Sequence, residues 1–161
     1  MFREMRRGKQ EISREECIEI LESAPDAVIA VSGDDGYPYT VPVNYVYSDG
    51  HVYIHCAKSG HKIDAIAKCP KVSLCVVAKN EVLPQYLTTS YRSVIAFGQA
   101  RVLDDSEQVA CATRMLGLKY NPDREFVDAE IERATERLAC IDIEIEHMAG
   151  KESLDLMKSR G

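Results

Sequence analysis

The feature that most limits the fold is a set of three short β-type runs with almost no chain between them. Residues 27–33, 37–47 and 51–57 are rich in β-branched and aromatic side chains, and only the turns 34–36 (DDG) and 49–50 (DG) separate them. Asp-Gly steps of this kind are typical of tight hairpin turns. A parallel crossover needs about a dozen residues or more, so these runs predict an antiparallel meander.

The rest of the chain alternates between helical and β-type spacing. Ser13 and Glu16 form a capping-box pattern at the start of a helix predicted over 14–23. Further helices are predicted over 58–70, from Ser106 onward and over 124–137, and further strands over 71–79, 90–105 and 138–148, with Gly98 marking a bulge or bend. This order places helices at the N-terminus, after strand 3 and before the last strand. It predicts an all-β core closed into a small antiparallel barrel, because closure removes exposed sheet edges. We expect one domain over 1–161, with 1–12 and 149–161 loosely packed.

Composition argues against several classes of function. The 161 residues carry a net charge of −6, unlike a general nucleic-acid binder, and no apolar run approaches the ~18 residues of a membrane span. The start of the chain has basic residues without the apolar stretch of a secretory signal. The six cysteines and four histidines lack metal-ligand spacing. We therefore expect no metal, no membrane and no nucleic acid, and reduced cysteines packed as small apolar side chains in a cytoplasmic protein.

The segment 55–62, HCAKSGHK, combines a strand end, a glycine-containing turn and a helix start. A helix N-terminus presents unpaired backbone N–H groups and favours an anion. Ser59 is placed to cap the helix and donate its hydroxyl, while Lys62 adds a cation and His61 adds a donor. The segment is therefore a candidate phosphate site, and the alternative is a capped turn with a surface lysine.

Two prolines, Pro38 and Pro42, interrupt a run that is otherwise strongly β-forming. Proline cannot donate a ladder hydrogen bond, so it requires an edge strand, a bulge or a gap. Either both prolines lie on an edge strand, or a flat ring lies against this strand and uses the backbone groups of Val41, Val43 and Asn44.

Other motifs are weak. There is no G-x-S-x-G elbow, and His55 and Cys56, as neighbours on a strand, would point to opposite faces. Asp142, Glu144 and Glu146 alternate along the last predicted strand, and we interpret them as a solvated face or a subunit contact.

The turn H-x-A-x-x-G-H-K at 55–62 and the strand Y-R-S-V-x-x-F-G at 91–98 are fairly specific when they occur together. Within 4–105 they resemble the pyridoxamine 5′-phosphate oxidase-like FMN-binding split-barrel superfamily, and most of all its 5-nitroimidazole-resistance (Nim-type) flavoproteins. The resemblance implies a homodimer of six-stranded antiparallel split β-barrels, with one FMN in each of two clefts between the subunits.

The resemblance also assigns the cofactor-binding positions, which are Pro42, Val43, Asn44, His55, Cys56, Ala57, Ser59, His61, Lys62 and Ser93. Lys62 and His61 would hold the phosphate, with Ser59 in the same turn. The end of the third strand would run beside the ribityl chain and ring. The second strand would supply backbone contacts to the isoalloxazine, and Ser93 would contact the ring or the phosphate.

The sequence departs from the oxidase itself, because it has no tryptophan and its tail, AGKESLDLMKSRG, resembles the Nim-type ending. The resemblance therefore favours an FMN-dependent oxidoreductase that reduces a small substrate such as a nitroaromatic. No catalytic residue is assigned, although His55 and His61 are candidates for a general acid by position. Two alternatives stay open, namely a non-catalytic flavin- or haem-binding protein on the same barrel and a dimerisation module with a vestigial cleft.

Overall fold

The computed structural model of the protein describes residues 2–134 and 136–159. The strands are β1 (Glu11–Ile12), β2 (Asp26–Ser32), β3 (Pro38–Asn44), β4 (Val46–Ser48), β5 (His51–Ala57), β6 (Lys71–Leu83), β7 (Thr88–Val102) and β8 (Leu138–Glu152). The α-helices are α1 (Arg14–Ser23), α2 (His61–Lys68), α3 (Ser106–Tyr120), α4 (Arg124–Ala134) and α5 (Leu154–Ser159). Within these described ranges, none of the helices is long and apolar enough to cross a membrane.

The strands form one antiparallel sheet in the order β3-β2-β6-β7-β8-β5-β4, and β1 pairs with the end of β8. β3 contacts β5, although no ladder joins these two strands in the described part of the chain. The sheet therefore curls towards closure but stays open at this point, as in a split barrel. The predicted fold class is confirmed, and the predicted helices after strand 3 and before the last strand are α2 and the pair α3 and α4.

The described residues form eight strands rather than six, because two short strands, β1 and β4, accompany the six long ones. β4 separates from β3 at Tyr45, whose backbone N–H donates to Tyr120 Oη (3.2 Å) instead of joining a ladder. The side chain of Tyr45 is fully buried. The run 37–47, predicted as one strand, is therefore two strands joined at a buried residue.

Local signals in the sequence identify several elements correctly. α1 covers the predicted 14–23, with the Glu16 N–H donating to Ser13 Oγ (3.2 Å) and the Ser13 N–H donating to Glu16 Oε2 (2.9 Å). Asp49 and Gly50 have φ of 48° and 86°, as a two-residue hairpin turn requires. Gly98 lies at the predicted irregularity between β7 and β8, where a Cβ would lie 2.2 Å from the Glu144 carbonyl oxygen.

The core fills the inside of the curled sheet. Its fully buried side chains come from alternate positions of five strands and from α1, and they include Ile29, Val52, Val76, Val94, Ile141 and Leu21. A second, smaller cluster of Leu103, Ala112 and Cys140 lies between the outer side of the sheet and α3. The outer side is therefore covered where α3 packs, and the N-terminal segment lies over another part of it, where the Phe2 ring contacts Phe97 and His147.

Both ends of the chain pack more closely than predicted. Gln10 and Ile12 are buried, and the Gln10 amide donates to the Glu152 carbonyl (3.0 Å). β8 continues to Glu152, Ser153 is buried, and α5 follows. The expectation of loose packing over 1–12 and 149–161 is therefore wrong for 10–12 and 149–153, because β1 pairs with the end of β8.

The prediction of a solvated face or a subunit contact on the last strand fits Glu144 and Glu146, which are exposed, and is wrong for Asp142, which is 2% exposed. The two carboxylate oxygens of Asp142 are bound by His51 Nδ1 (2.8 Å) and by the Arg101 guanidinium (2.8 Å and 3.0 Å). A buried carboxylate needs such partners, and here they come from two flanking strands. All six cysteines are free, and Cys111, which was expected to pack as an apolar side chain, is exposed.

Candidate functional site

The free edge of β3 is one side of the candidate site. The Gly33 N–H donates to the Tyr37 carbonyl (2.9 Å), and hydrogen-bonded pairs alternate along an antiparallel ladder. The odd-numbered residues of β3 therefore bond to β2, while the even-numbered residues direct their backbone groups away from the sheet. Pro38 and Pro42 are both even-numbered, so each lies on the edge side, where a missing N–H leaves no gap in the ladder.

This alternation corrects the expected backbone contacts to a ring. Val41 and Val43 pair with Ile29 and Ala27 of β2, so their N–H and C=O groups are used within the sheet. The outward backbone groups of the 42–44 segment are the Pro42 carbonyl and the N–H and carbonyl of Asn44.

β3 and the end of β5 lie on opposite sides of a gap. The β4–β5 hairpin pairs Val46 with Tyr53 and Ser48 with His51. If β3 continued the register of this hairpin, Asn44 would face His55, and Pro42 would face Ala57. β3 instead pairs with β2, and residues 55–57 pair on their other side with β8. The predicted site residues 42–44 and 55–57 thus form the two walls of one opening, named here the β3–β5 cleft.

The start of α2 follows directly after the end of β5. Gly60, with φ 134° and ψ 166°, is the N-cap, and no side chain caps the helix there. The prediction that Ser59 caps this helix is therefore wrong, because the chain turns one residue later at a conformation suited to glycine. The Ile63 and Asp64 N–H groups donate to the Gly60 carbonyl (2.9 Å and 3.1 Å). The backbone N–H groups of His61 and Lys62 come before the first of these donors and have no helix carbonyl to bind. They are therefore the N–H groups of the helix that remain available to an anion.

Lys62 lies close to both wall residues of β5. Burial lowers the pKa of His55, and the charge of Lys62 lowers it further. Burial raises the pKa of the Cys56 thiol, and the same lysine opposes that rise. Lys62 is half-buried and forms no hydrogen bond or ion pair with any of the described residues. Lys62 thus lies near both His55 and Cys56, and this cation has no partner among the described residues.

His61 has a different environment from Lys62. Its ring stacks on Tyr39 of β3, with centroids 4.1 Å apart, and its Nε2 lies 3.5 Å from Asp34 Oδ2. Lys68, at the other end of α2, binds the second oxygen of Asp34 (2.9 Å) and is the main cause of the lowered pKa of that carboxylate. Sequence reasoning missed Tyr39, Asp34 and Lys68, since nothing in their spacing shows that α2 packs beside the β2–β3 turn.

Ser93 is not part of this cluster within one chain. It lies on the outer side of β7, opposite Val77 of β6 and Lys151 of β8. α2 leads into the start of β6, where Lys71 pairs with Gln99, so Ser93 is six residues, about 20 Å, further along β7. Ser93 instead lines a cavity of about 740 Å³ between the outer side of the sheet and the N-terminal segment.

The outer side of the sheet around Ser93 carries exposed apolar side chains. One cross-strand row contains Val28 (38% exposed), Cys75 and Ile95 (37%), and Val77 (56%) and Phe97 (38%) lie in the adjacent rows. These residues are named here the outer apolar face. An apolar face across three neighbouring strands is typical of a surface that contacts another molecule.

A comparison with known families gives one match over most of the chain. The family model described as pyridoxamine 5′-phosphate oxidase matches residues 13–152. No curated protein matches the sequence.

Solved structures share the fold at low sequence identity. A proposed 5-nitroimidazole antibiotic resistance protein from Bacteroides thetaiotaomicron is 20% identical with a TM-score of 0.73, over 88% of this chain and 85% of the other. The flavocytochrome Anf3 from Azotobacter vinelandii is 20% identical with a TM-score of 0.76, over 93% and 72%. A FAD and haem binding protein from Mycobacterium smegmatis is 21% identical with a TM-score of 0.74, over 95% and 80%. At these identities the likeness establishes the fold alone.

Proposed function

The chain belongs to the pyridoxamine 5′-phosphate oxidase family, and from this premise we propose that it is an FMN-dependent oxidoreductase that reduces a small substrate. The observation that carries the proposal is Lys62, a half-buried cation without a partner among the described residues, at the start of α2 beside the β3–β5 cleft. A buried or half-buried charge is normally paired. Its missing partner is an anion, and the FMN phosphate is one.

The chemistry of the donors at this end of the cleft fits a phosphate. Lys62 supplies a positive charge, the His61 and Lys62 amides are free of helix bonds, and the helix dipole adds a positive potential. Asp34 is the opposing group, but Lys68 neutralises it and holds it at one oxygen. We assign Lys62 and the two amides to the phosphate, with the imidazole of His61 turning from Asp34 when the phosphate is bound.

The walls of the cleft fit a flat heterocycle. The pyrimidine edge of a flavin alternates hydrogen-bond acceptors with one N–H donor, and the free edge of β3 offers the Pro42 carbonyl and the Asn44 N–H and carbonyl. His55, Cys56 and Ala57 form the opposite wall. The bound flavin supplies the two-electron chemistry, while these residues orient the ring and exclude water. No group of the chain is assigned as a general acid.

A second copy of the chain completes this proposal. Ser93, the remaining expected contact, is on the outer side of β7 and far from the cleft of its own chain. The outer apolar face surrounds it, so one copy would bring Ser93 to the cleft of its partner when the two faces pack together. Sedimentation of the purified protein tests this step. A dimer that Ile95→Glu converts to a monomer with loss of FMN binding is expected, and FMN binding by a monomer would contradict it.

A non-catalytic flavin- or haem-binding protein is the second candidate, because two similar folds are described as a flavocytochrome and as a FAD and haem binding protein. An absorption spectrum separates the candidates. We expect about one FMN per chain, reduced by NAD(P)H or dithionite and reoxidised by a nitroaromatic. Flavin that does not pass electrons to any acceptor favours a store or sensor, and a Soret band without flavin uptake favours haem. A protein that binds neither cofactor refutes both candidates. The six free cysteines support a reducing compartment such as the cytoplasm.

A further inference from the structure

A separate cavity of about 330 Å³ lies on the outer side of β5, between α3 and α4. Most of its wall is apolar and consists of Leu116, Phe126, Val127, Ile131, Ala134 and Leu138. Sites for small molecules begin at roughly this volume, and a cavity of about 150 Å³ with apolar walls is enough for benzene. This cavity therefore has room for a molecule with two fused rings.

The packing of the two helices explains why the space persists. At Gly117 of α3, a Cβ would lie 2.6 Å from Val127 Cγ1, so the two helices are in close contact at this point. Val127 is buried there, whereas Phe126, its neighbour on α4, is 54% exposed at the cavity. α4 is thus held against α3, and its remaining apolar side chains face a space that no described residue fills.

The polar groups of the cavity wall favour an uncharged occupant. His55 lies in the wall, and its lowered pKa leaves the imidazole neutral near pH 7, with one N–H donor and one acceptor. Glu130 is paired with Arg133. Thr113 also lines the cavity, and its buried hydroxyl has no hydrogen-bond partner among the described residues. Lys62, the unpaired cation near His55, is not among the residues that line the cavity. A charged molecule would therefore meet no free counter-charge among the lining residues, and burying its charge would be unfavourable.

We propose that this cavity binds a small, uncharged aromatic molecule, held by the apolar wall, with the exposed Phe126 ring as its aromatic contact, and by one hydrogen bond to His55. His55 and Cys56 are neighbours on a strand and face opposite sides of it. The cavity therefore lies on the side of β5 that faces away from the core. It adjoins the β3–β5 cleft at one shared residue, His55. The site goes beyond the proposed flavin function, because its walls belong to one chain and require no cofactor.

Indole is a suitable probe, because the chain has no tryptophan and all indole fluorescence comes from the ligand. We expect saturable binding of one indole per chain, with and without FMN, and binding of indole-3-acetate about tenfold weaker or worse because its carboxylate is charged. Equal binding of the two probes, or no saturable binding of indole, would overturn the proposal. Since the titration is done with and without FMN, a failure of the flavin proposal does not alter its outcome.

Two substitutions locate the site. Ala134→Phe fills the cavity and should abolish indole binding, whereas Ala110→Phe fills a neighbouring cavity of about 320 Å³ lined by Lys58, Val102 and Leu103 and should leave it unchanged. Unchanged binding by folded Ala134→Phe contradicts the assignment. If Ala134→Phe fails to fold, imidazole NMR signals of the wild-type protein decide. Indole should shift the His55 signals and leave those of His51 and His147 in place, and any other pattern rejects the site.

Discussion

Replacement of Lys62 by alanine should weaken the binding of FMN and leave the binding of riboflavin nearly unchanged. The two flavins share the ring and ribityl chain, and riboflavin lacks the phosphate. Lys62 is half-buried at the start of α2, and none of the described residues pairs with it. A loss limited to the phosphorylated ligand therefore reports the contact of this lysine with the phosphate and with nothing else.

The size of the loss follows from the site. A hydrogen bond to a charged group contributes about 1.5–3 kcal/mol, and each 1.4 kcal/mol changes an equilibrium constant tenfold, so the Kd of FMN should rise by about 10- to 150-fold. The His61 and Lys62 backbone amides remain in the variant, and they place the expected value in the lower part of this range. The free energy of unfolding should change by about 0.5 kcal/mol or less, because Lys62 forms no pair with a described residue that the substitution would break.

Quenching of flavin fluorescence measures both dissociation constants, and Lys58→Ala is the matched control. Lys58 is four residues away, but its side chain is exposed and lines the cavity next to α3. It should therefore change FMN affinity by less than about twofold. If Lys62→Ala weakens FMN and riboflavin equally, the lysine acts on the fold of the cleft and not on the phosphate. If it weakens neither, Lys62 does not contact a phosphate.

Four further perturbations test the geometry. In Lys62→Ala, the pKa of His55 should rise towards its ordinary 6.5 in NMR titrations, because one of the two causes of its lowering is removed. His55 binds fewer protons folded than unfolded, so the protein should lose stability as pH falls below about 6.5, and His55→Phe should lessen that slope in chemical denaturation. Gly98→Ala should cost about 1–3 kcal/mol or more, against almost nothing for Gly8→Ala, which has open space. Tyr120→Phe should cost about 1–3 kcal/mol in the same assay, since the Tyr45 N–H loses its acceptor.

The parts of the fold that the sequence predicts are those determined by neighbours along the chain. The capping box at Ser13 and Glu16 and the turn at Asp49-Gly50 each involve only a few consecutive residues, and both are found as predicted. The burial of Asp142 could not be predicted in this way, because its partners lie on two other strands. An alternating strand with one buried face looks the same in sequence whether its polar side meets water or two basic side chains.

The candidate site shows the same division between local and long-range information. The turn 55–62 was identified from its own residues, but the start of α2 at His61 and the role of Gly60 depend on backbone geometry. Which backbone groups of β3 face outwards depends on the register between β2 and β3, and a shift by one residue would exchange the two sets. The sequence therefore predicts a ring contact for Val43, although its backbone groups bond to β2.

The β3–β5 cleft itself arises from a change of partner within one continuous segment. β3 pairs with β2 as far as Asn44, and from Val46, two residues later, the same chain pairs with β5 as β4. Tyr45 lies between these two strands, and its side chain is fully buried. Lys119 Nζ lies 4.0 Å from the centroid of the Tyr45 ring, and the Tyr45 backbone N–H donates to Tyr120 Oη. The C-terminal end of α3 therefore contacts the residue at which the chain passes from its pairing with β2 to its pairing with β5. If β3 kept the register of the hairpin, Asn44 would pair with His55 and the opening would close. The end of α3 thus contacts the residue at which the cleft begins.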